Sequence, residues 1–313
     1  MQKFLDIMHQ ILHNGDVVFN ERTQKTTYKV FGTQTRFNLN LGYPIPTTRF
    51  VPWEKPVAEM LWFTRGSTDV SVLAALGGGR IWDQWADEGS IGPMYGHVLR
   101  SIDVVTGQGE NIMVDQLSDV LQMLKTDPTS RRILMTTLDI GKLPRPNLTP
   151  KANVACGQGA LMPCHGIVIQ LDSSPFTSAE YERMSRSRRI NTRIPEHLKE
   201  IPHHANKLRL QVYVRSNDWP VGACWNISQY AALLMMIARE VDHHPYELVY
   251  TTGDTHIYGD QIEGAKKQLT RTPFGSPWLE ILPNAPGLFD LKLENFKMHN
   301  LEQHDKIVYP VAV

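Results

Sequence analysis

Leu208-Arg-Leu-Gln-Val-Tyr-Val214 runs straight into Arg215-Ser-Asn-Asp-Trp-Pro-Val-Gly-Ala-Cys-Trp-Asn226, and residues 227–239 beyond it are apolar almost all round. Alternation over 208–214 predicts a strand with one buried face, and the apolar run predicts a helix buried on all sides. Gly166-Ile-Val-Ile-Gln-Leu171 reads as a second strand, the antiparallel neighbour of the first. Residues 27–39 alternate well enough for a further strand with a bend at Gly32. A helix opens at Pro56 and runs through Val57, Met60, Leu61 and Phe63. A second is expected over 112–125, where Met113, Leu117, Val120, Leu121 and Leu124 keep helical spacing until Asp127-Pro128 ends it. Ile133 to Leu138 reads as a buried strand.

Two stretches break this frame. Residues 142–160 carry Pro144, Pro146, Pro150, Gly157 and Gly159, the composition of a loop. Residues 172–206 separate the two strands and hold Arg183, Arg186, Arg188, Arg189 and Arg193. They read either as a basic arm for nucleic acid or a partner, or as a solvated loop whose arginines pair with Glu180, Glu182, Glu196 and Glu200. No repeat or interdomain linker is visible, so one compact domain is expected.

Bulk properties narrow the function. Of 313 residues, 42% are hydrophobic and 20% charged, as in a soluble globular protein. Lysine plus arginine and aspartate plus glutamate both total 32, so global charge recruits neither duplex nucleic acid nor an anionic membrane. Any anionic ligand must be held by a few placed cations. No apolar run reads as a membrane span, and the polar start does not read as a secretory signal. Cys156, Cys164 and Cys224 are odd in number and form no CxxC pair, which suits reduced thiols in the cytoplasm. His203-His204 and His243-His244 lack a metal-ligand context, so no metal site is expected.

Chemistry concentrates in Met162-Pro163-Cys164-His165 and in the 215–226 segment. A cysteine nucleophile needs help to become a thiolate, and a nearby cation such as Arg215 supplies it. Arg215 with Ser216 suits a phosphate, and the amide of Asn226 can donate and accept along one base edge. Together they point to an enzyme that makes a temporary bond to a nucleotide. Each residue also has a plainer reading: Cys164 as core filler, Asn226 as the N-cap of the helix after it, Trp82, Trp85 and Trp225 as packing. Glu59 sits in an apolar run, where a carboxylate needs water, a partner or a buried ion pair.

Further segments fall in the same order as in one known family. Arg22 stands in a phosphate-loop position, with Gln24-Lys25 in place of the usual glycine-bearing sequence; Ala-Glu59-Met-Leu-Trp-Phe follows. Next come Ile81-Trp-Asp-Gln-Trp85-Ala-Asp-Glu88, Gly92-Pro-Met-Tyr95-Gly96, Ser130-Arg131-Arg132, Gly253-Asp-Thr-His256-Ile-Tyr258 and Pro310-Val-Ala-Val313. From about Glu21 to the C-terminus the chain resembles the thymidylate synthases. The resemblance implies an α/β fold of the α+β type, a large mostly antiparallel or mixed sheet packed by helices. It implies a single catalytic domain over 1–313, with insertions near 142–160 and 172–206, and a homodimer paired through the sheet face.

The resemblance also implies roles. Cys164 is the nucleophile that adds to C6 of dUMP; Arg215 pairs with phosphate and lowers the thiol pKa; His165 positions the site. Glu59 organises protons at the pyrimidine O4, and Tyr95 with its waters removes the C5 proton. Arg22, Ser216 and the partner's Arg131 and Arg132 bind phosphate, while His256 and Tyr258 hold the sugar 3′-hydroxyl. Asn226 reads uracil; relatives acting on deoxycytidylate carry aspartate there. Asp218 hydrogen-bonds the folate ring, and Ile81, Trp82, Trp85, Gly222, Trp225 and Val313 complete the site for 5,10-methylenetetrahydrofolate. Two outcomes share this path: hydride reduction to dTMP and dihydrofolate, or water addition to 5-hydroxymethyl-dUMP. The tryptophans and the Val313 tail favour the first. Cys224-Trp225 in place of the common proline-phenylalanine, Gln229 where serine is frequent, and the long insertions point to the second; such departures occur in viral members, which would place the protein in a host cytoplasm. A third expectation, a catalytically idle paralogue binding nucleotide or RNA, is opposed by the intact Cys164, Arg215, Glu59 and Asn226.

Overall fold

The structure is a computed structural model and describes residues 1–21, 23–201 and 206–311. The expectations for Arg22, His203, His204 and Val313 lie outside the described residues. The chain begins with helix α1 (Gln2–Asn14), then strands β1 (Asp16–Asn20) and β2 (Lys25–Asn38). Helices α2 (Glu54–Thr64), α3 (Val70–Ala75) and α4 (Gly96–Arg100) follow. A hairpin of β3 (Ile102–Val105) and β4 (Asn111–Val114) leads to α5 (Gln116–Thr126) and the short β5 (Leu134–Met135). After α6 (Pro150–Ala155) come β6 (Val168–Ser174), α7 (Ser178–Ile190) and β7 (Lys207–Asp218). A π-helical turn (Trp219–Ala223) feeds α8 (Cys224–Glu240), then β8 (His244–Tyr258), α9 (Ile262–Leu269) and the pair β9 (Trp278–Ile281) and β10 (Phe296–His299).

Six strands form one mixed sheet in the order β1-β2-β8-β7-β6-β5. Among the described residues only β7 and β8 are parallel, because α8 crosses over between them; the other neighbours are antiparallel. On β7 the alternate residues Leu208, Leu210, Val212 and Val214 are all fully buried, each adding roughly 1.5–3 kcal/mol of apolar burial. A one-residue slip would drive Arg209 and Gln211 into that core, so the pattern fixes the register. Helix α8 lies against this face and is buried on nearly every side, as its composition requires. The opposite face stays open, with Phe31 82% exposed and Arg209 paired across strands to Asp172.

Several expectations need correction. The segment 112–125 divides: Asn111–Val114 is the second strand of a hairpin, and the helix begins at Gln116 with Asp115 as its side-chain cap. Ile112 and Met113 are both exposed on that hairpin, so only the later apolar residues belong to the helix. Of Ile133 to Leu138, just Leu134–Met135 is strand, at the sheet edge with Leu134 exposed. The 142–160 stretch includes a helical turn, α6, started by Thr149 and Pro150. Trp219–Glu240 is long and apolar enough to cross a membrane, but it is the core helix, 78% buried within the fold.

The described residues of the 172–206 stretch include a helix, α7, rather than a solvated loop alone. Thr177 and Glu180 form a reciprocal capping box at the start of α7. Among the described residues, its arginines do not pair with the nearby glutamates: Glu180 binds Lys207 at 2.8 Å, Glu196 binds Lys199, and Arg193 binds Glu302. Arg188 is buried instead, donating to the carbonyls of Leu198 and Lys199 and lying 5.2 Å from the Trp278 ring. His197 and His299 both bond the buried Glu280, tying this segment to the β9–β10 pair.

Candidate active site

The two chemical motifs meet where β7 ends. Cys164 precedes β6, and its carbonyl accepts from the Arg215 N–H at 2.8 Å. Arg215 Nε also donates to the Pro163 carbonyl at 3.2 Å, joining the segments across 52 positions. Gly166 allows the close approach: its φ is +70°, and a Cβ there would stand 2.4 Å from the Tyr230 hydroxyl. That hydroxyl lies 2.8 Å from His165 Nδ1. Burial holds the His165 pKa down at about 3, so the ring is neutral near pH 7 and able to orient its neighbours.

Tyr95 supports the thiol. Its ring packs against both Phe63 (4.7 Å) and His165 (4.6 Å), which are 6.0 Å from each other, and its φ of +39° is unusual for a non-glycine residue. Its hydroxyl accepts from the Cys164 N–H at 3.2 Å and stands 3.6 Å from Sγ. The expected effect of Arg215 on the thiol is present but outweighed: burial raises the Cys164 pKa, against the downward pull of the Tyr95 hydrogen bond and the Arg215 charge. In the free protein the half-buried sulfur is therefore a thiol at neutral pH.

Glu59 projects from α2 into the core beneath this floor. Trp82 Nε1 donates to its Oε1 at 2.6 Å; Trp225 Nε1 (2.8 Å) and Gln229 Nε2 (3.0 Å) donate to Oε2. Neutral N–H groups, rather than a buried ion pair, satisfy it. Burial raises its pKa to about 6, with the three hydrogen bonds pulling the other way. Asn226 is not the N-cap of α8, which begins two residues earlier. Its side chain instead accepts from Asn217 Nδ2 and donates to Gln229 Oε1, both at 3.2 Å.

A cleft of about 900 Å³ opens above, lined by Trp85, Met162, Cys164, Arg215, Ser216, His256 and Tyr258. His256 and Tyr258 point the same way from β8, their rings 4.9 Å apart edge to face. His256 Nδ1 bonds Asp254 at 2.7 Å and Asp254 pairs with Lys29, an arrangement that leaves Nε2 toward the cleft. Sequence reasoning missed Asp254 and Lys29, although period-two spacing from His256 marked Asp254 as sharing its face. Arg131 and Arg132 are exposed beyond α5 and do not line this cleft.

Asp218, for which a folate contact is expected, ends β7. Its Oδ1 caps the π-helical turn through the Val221 N–H, and its Oδ2 accepts from Gln261 Nε2 at 2.9 Å. Gln261 Nε2 also donates to the Pro310 carbonyl, so one amide ties this acid to the C-terminal segment. Burial pushes the Asp218 carboxyl upward despite that hydrogen bond. Trp82 and Trp85 meet edge to face at 5.4 Å, and Ile81, Gly222 and Trp225 are each partly buried. No sequence signal had marked Gln261, and Gln229 had shown only as a departure pointing to the hydroxymethylase outcome.

Comparison with known proteins identifies the family. The thymidylate synthase family model matches residues 2–313. Thymidylate synthases of Francisella tularensis subsp. holarctica strains LVS and OSU18 are each 35% identical over 314 residues, covering 100% of both chains. That of Francisella philomiragia subsp. philomiragia is 34% identical over the same span. With full-length similarity to these enzymes, the chain belongs to the thymidylate synthase family, whose members transfer a one-carbon unit to dUMP with methylenetetrahydrofolate as cosubstrate.

Proposed function

We propose that this protein is a thymidylate synthase in the strict sense, converting dUMP to dTMP through a covalent adduct at Cys164. The observation that supports the covalent path to the methylene, common to both outcomes considered below, is the convergence of Tyr95 on Cys164 beside a carboxylate, Glu59, satisfied by two indoles and an amide. The Cys164 sulfur, losing its proton as dUMP binds, adds to C6 and leaves C5 as an enolate-like nucleophile. Asn226 and the Glu59 network hold the charge that develops at O4. C5 attacks the opened one-carbon unit of 5,10-methylenetetrahydrofolate. Tyr95 relays the C5 proton away, and tetrahydrofolate leaves to give an exocyclic methylene. Hydride from the departing tetrahydrofolate reduces that methylene while Cys164 is expelled, yielding dTMP and dihydrofolate.

Phosphate binding falls to Arg215 and Ser216, to Arg22, and to Arg131 and Arg132 of a second copy. The open sheet face, with Phe31 exposed, suits that homodimer and would bring the exposed arginine pair to the neighbouring cleft. We read residues 1–313 as one catalytic domain, with 142–160 and 172–206 as insertions on it and the cytoplasm as its compartment. His256 and Tyr258 take the sugar hydroxyl. Ile81, Trp82, Trp85, Asp218, Gly222, Trp225 and Val313 enclose the folate.

The second reading, a hydroxymethylase, differs only in whether water or hydride meets the methylene. We favour reduction on the expected water exclusion by Trp82, Trp85 and the Val313 tail, against the departures at Trp225 and Gln229, whose side chains both donate to Glu59. One incubation with dUMP and methylenetetrahydrofolate tests it, with mass spectrometry on the nucleotide and absorbance on the folate. Equal dTMP and dihydrofolate support the synthase. A hydroxymethyl product without dihydrofolate overturns it in favour of the second reading.

A further inference from the structure

An asparagine amide is not by itself selective for uracil. Its donor and acceptor ends have nearly the same shape, so a half-turn of the group would suit cytosine equally well. Selectivity requires that the half-turn be blocked. Among the described residues, the groups bonded to Asn226 are Asn217 and Gln229, both amides themselves and both reversible in the same sense.

The chain of amides ends on a group that cannot reverse. Ionised Glu59 only accepts, so Gln229 must turn Nε2 toward it. The Gln229 Oε1 then faces Asn226, which must present Nδ2 to it, leaving Oδ1 for Asn217. Gln229 is fully buried, one turn beyond Asn226 on α8, and both of its ends are engaged. With that polarity set, the second N–H of Asn226 is free for O4 of uracil and the second lone pair of Oδ1 for N3–H. Cytosine offers the reversed pattern at the same two atoms and would oppose like with like.

We propose that Gln229 is a positioning residue for base selection, transmitting the fixed polarity of the Glu59 carboxylate to the Asn226 amide and so setting it for uracil against cytosine. This rests on the reading of dUMP as the acceptor. Gln229 thereby has a purpose at a position where the chain departs from its relatives' frequent serine. Base choice also comes to depend on the charge of Glu59, a group two residues removed from the base.

The test measures dissociation constants for dUMP and dCMP by titration calorimetry at pH 7.5, using the full chain. Wild type is compared with Gln229→Met, close in shape but without either hydrogen-bonding end, and with Glu59→Gln, which restores reversibility at the far end. The expected result is a dUMP preference in wild type that falls about tenfold or more in both variants, through tighter dCMP binding as well as weaker dUMP binding. A merely structural role would weaken both nucleotides alike and leave the ratio unchanged; an unchanged ratio in both variants overturns the proposal. If Gln229→Met does not fold, the Glu59→Gln ratio decides alone. If wild type itself binds no dUMP, the substrate reading fails before any variant is made, and the proposal falls with it.

Discussion

Trp225 Nε1 donates a 2.8 Å hydrogen bond to Oε2 of Glu59, joining the start of α8 to the middle of α2 across 166 positions of sequence. The bond matters because burial alone would push this carboxyl well above its value of about 6. Trp225→Phe keeps an aromatic ring and removes the donor. A hydrogen bond to a charged group contributes about 1.5–3 kcal/mol, so the Glu59 pKa should rise by about one to two units. The acid limb of the kcat/KM profile should move to higher pH by the same amount, because ionised Glu59 is then present only at higher pH. An acid limb that stays in place would show that Glu59 is not the group titrating.

Tyr95→Phe separates packing from chemistry at the nucleophile. The stack with Phe63 and His165 survives, so melting should shift by only a few degrees. The lost hydroxyl leaves the Cys164 N–H without its acceptor and removes one influence holding the thiol pKa down. Turnover should fall about a hundredfold. Alkylation of Cys164 by iodoacetamide at fixed pH should slow as the thiolate fraction drops. Normal alkylation together with lost turnover would assign Tyr95 to proton transfer alone.

Gln261→Glu keeps the oxygen that accepts from the Tyr258 N–H but replaces the Nε2 donor that ties Asp218 to Pro310. We expect the KM for methylenetetrahydrofolate to rise about tenfold while dUMP binding is unchanged, and the fraction of 5-hydroxymethyl product to increase. Equal loss in both substrates would mean that the tether supports the whole site rather than the folate side.

What was legible beforehand divides along physical lines. Strong periodicity identified β6, β7 and α8, since buried alternation and an all-apolar helix each suit very few environments. The 112–125 segment failed because Ile112 and Met113 are apolar yet exposed on a hairpin, so their spacing to Leu117 carried no helical meaning. Cys164, Arg215, Glu59 and Asn226 stood out as ordered motifs, and all four come together around one floor. Their connecting groups did not. Gln229, Gln261 and Asp254 act through hydrogen bonds that cross long sequence separations or lie within a signature whose other members drew notice. A glutamine has no spacing rule that reveals what its two ends will touch.

The buried histidines set how the protein meets acid. His244 lies at the start of β8 with Nε2 at 2.7 Å from Asn40 Oδ1, and burial with the Arg188 charge holds its pKa down at about 3. The unfolded chain, with histidine near 6.5, binds the proton that the folded state refuses. This neutral-histidine contribution is therefore fully present above pH 6.5 and lost as pH falls toward about 3. At pH 5 the loss is about 2 kcal/mol for His244, and His165 behaves in the same way. Glu59 works oppositely: its folded pKa of about 6 exceeds the unfolded value, so its contribution is present at low pH and lost as pH rises through 6. The two histidines outweigh it, and urea denaturation should show lower stability at pH 5 than at pH 7. In His244→Gln, which keeps a polar partner for Asn40 but cannot titrate, the difference between pH 7 and pH 5 should shrink by about 2 kcal/mol. An unchanged difference would mean that His244 is protonated in the folded state, and that Asn40 accepts from a charged ring.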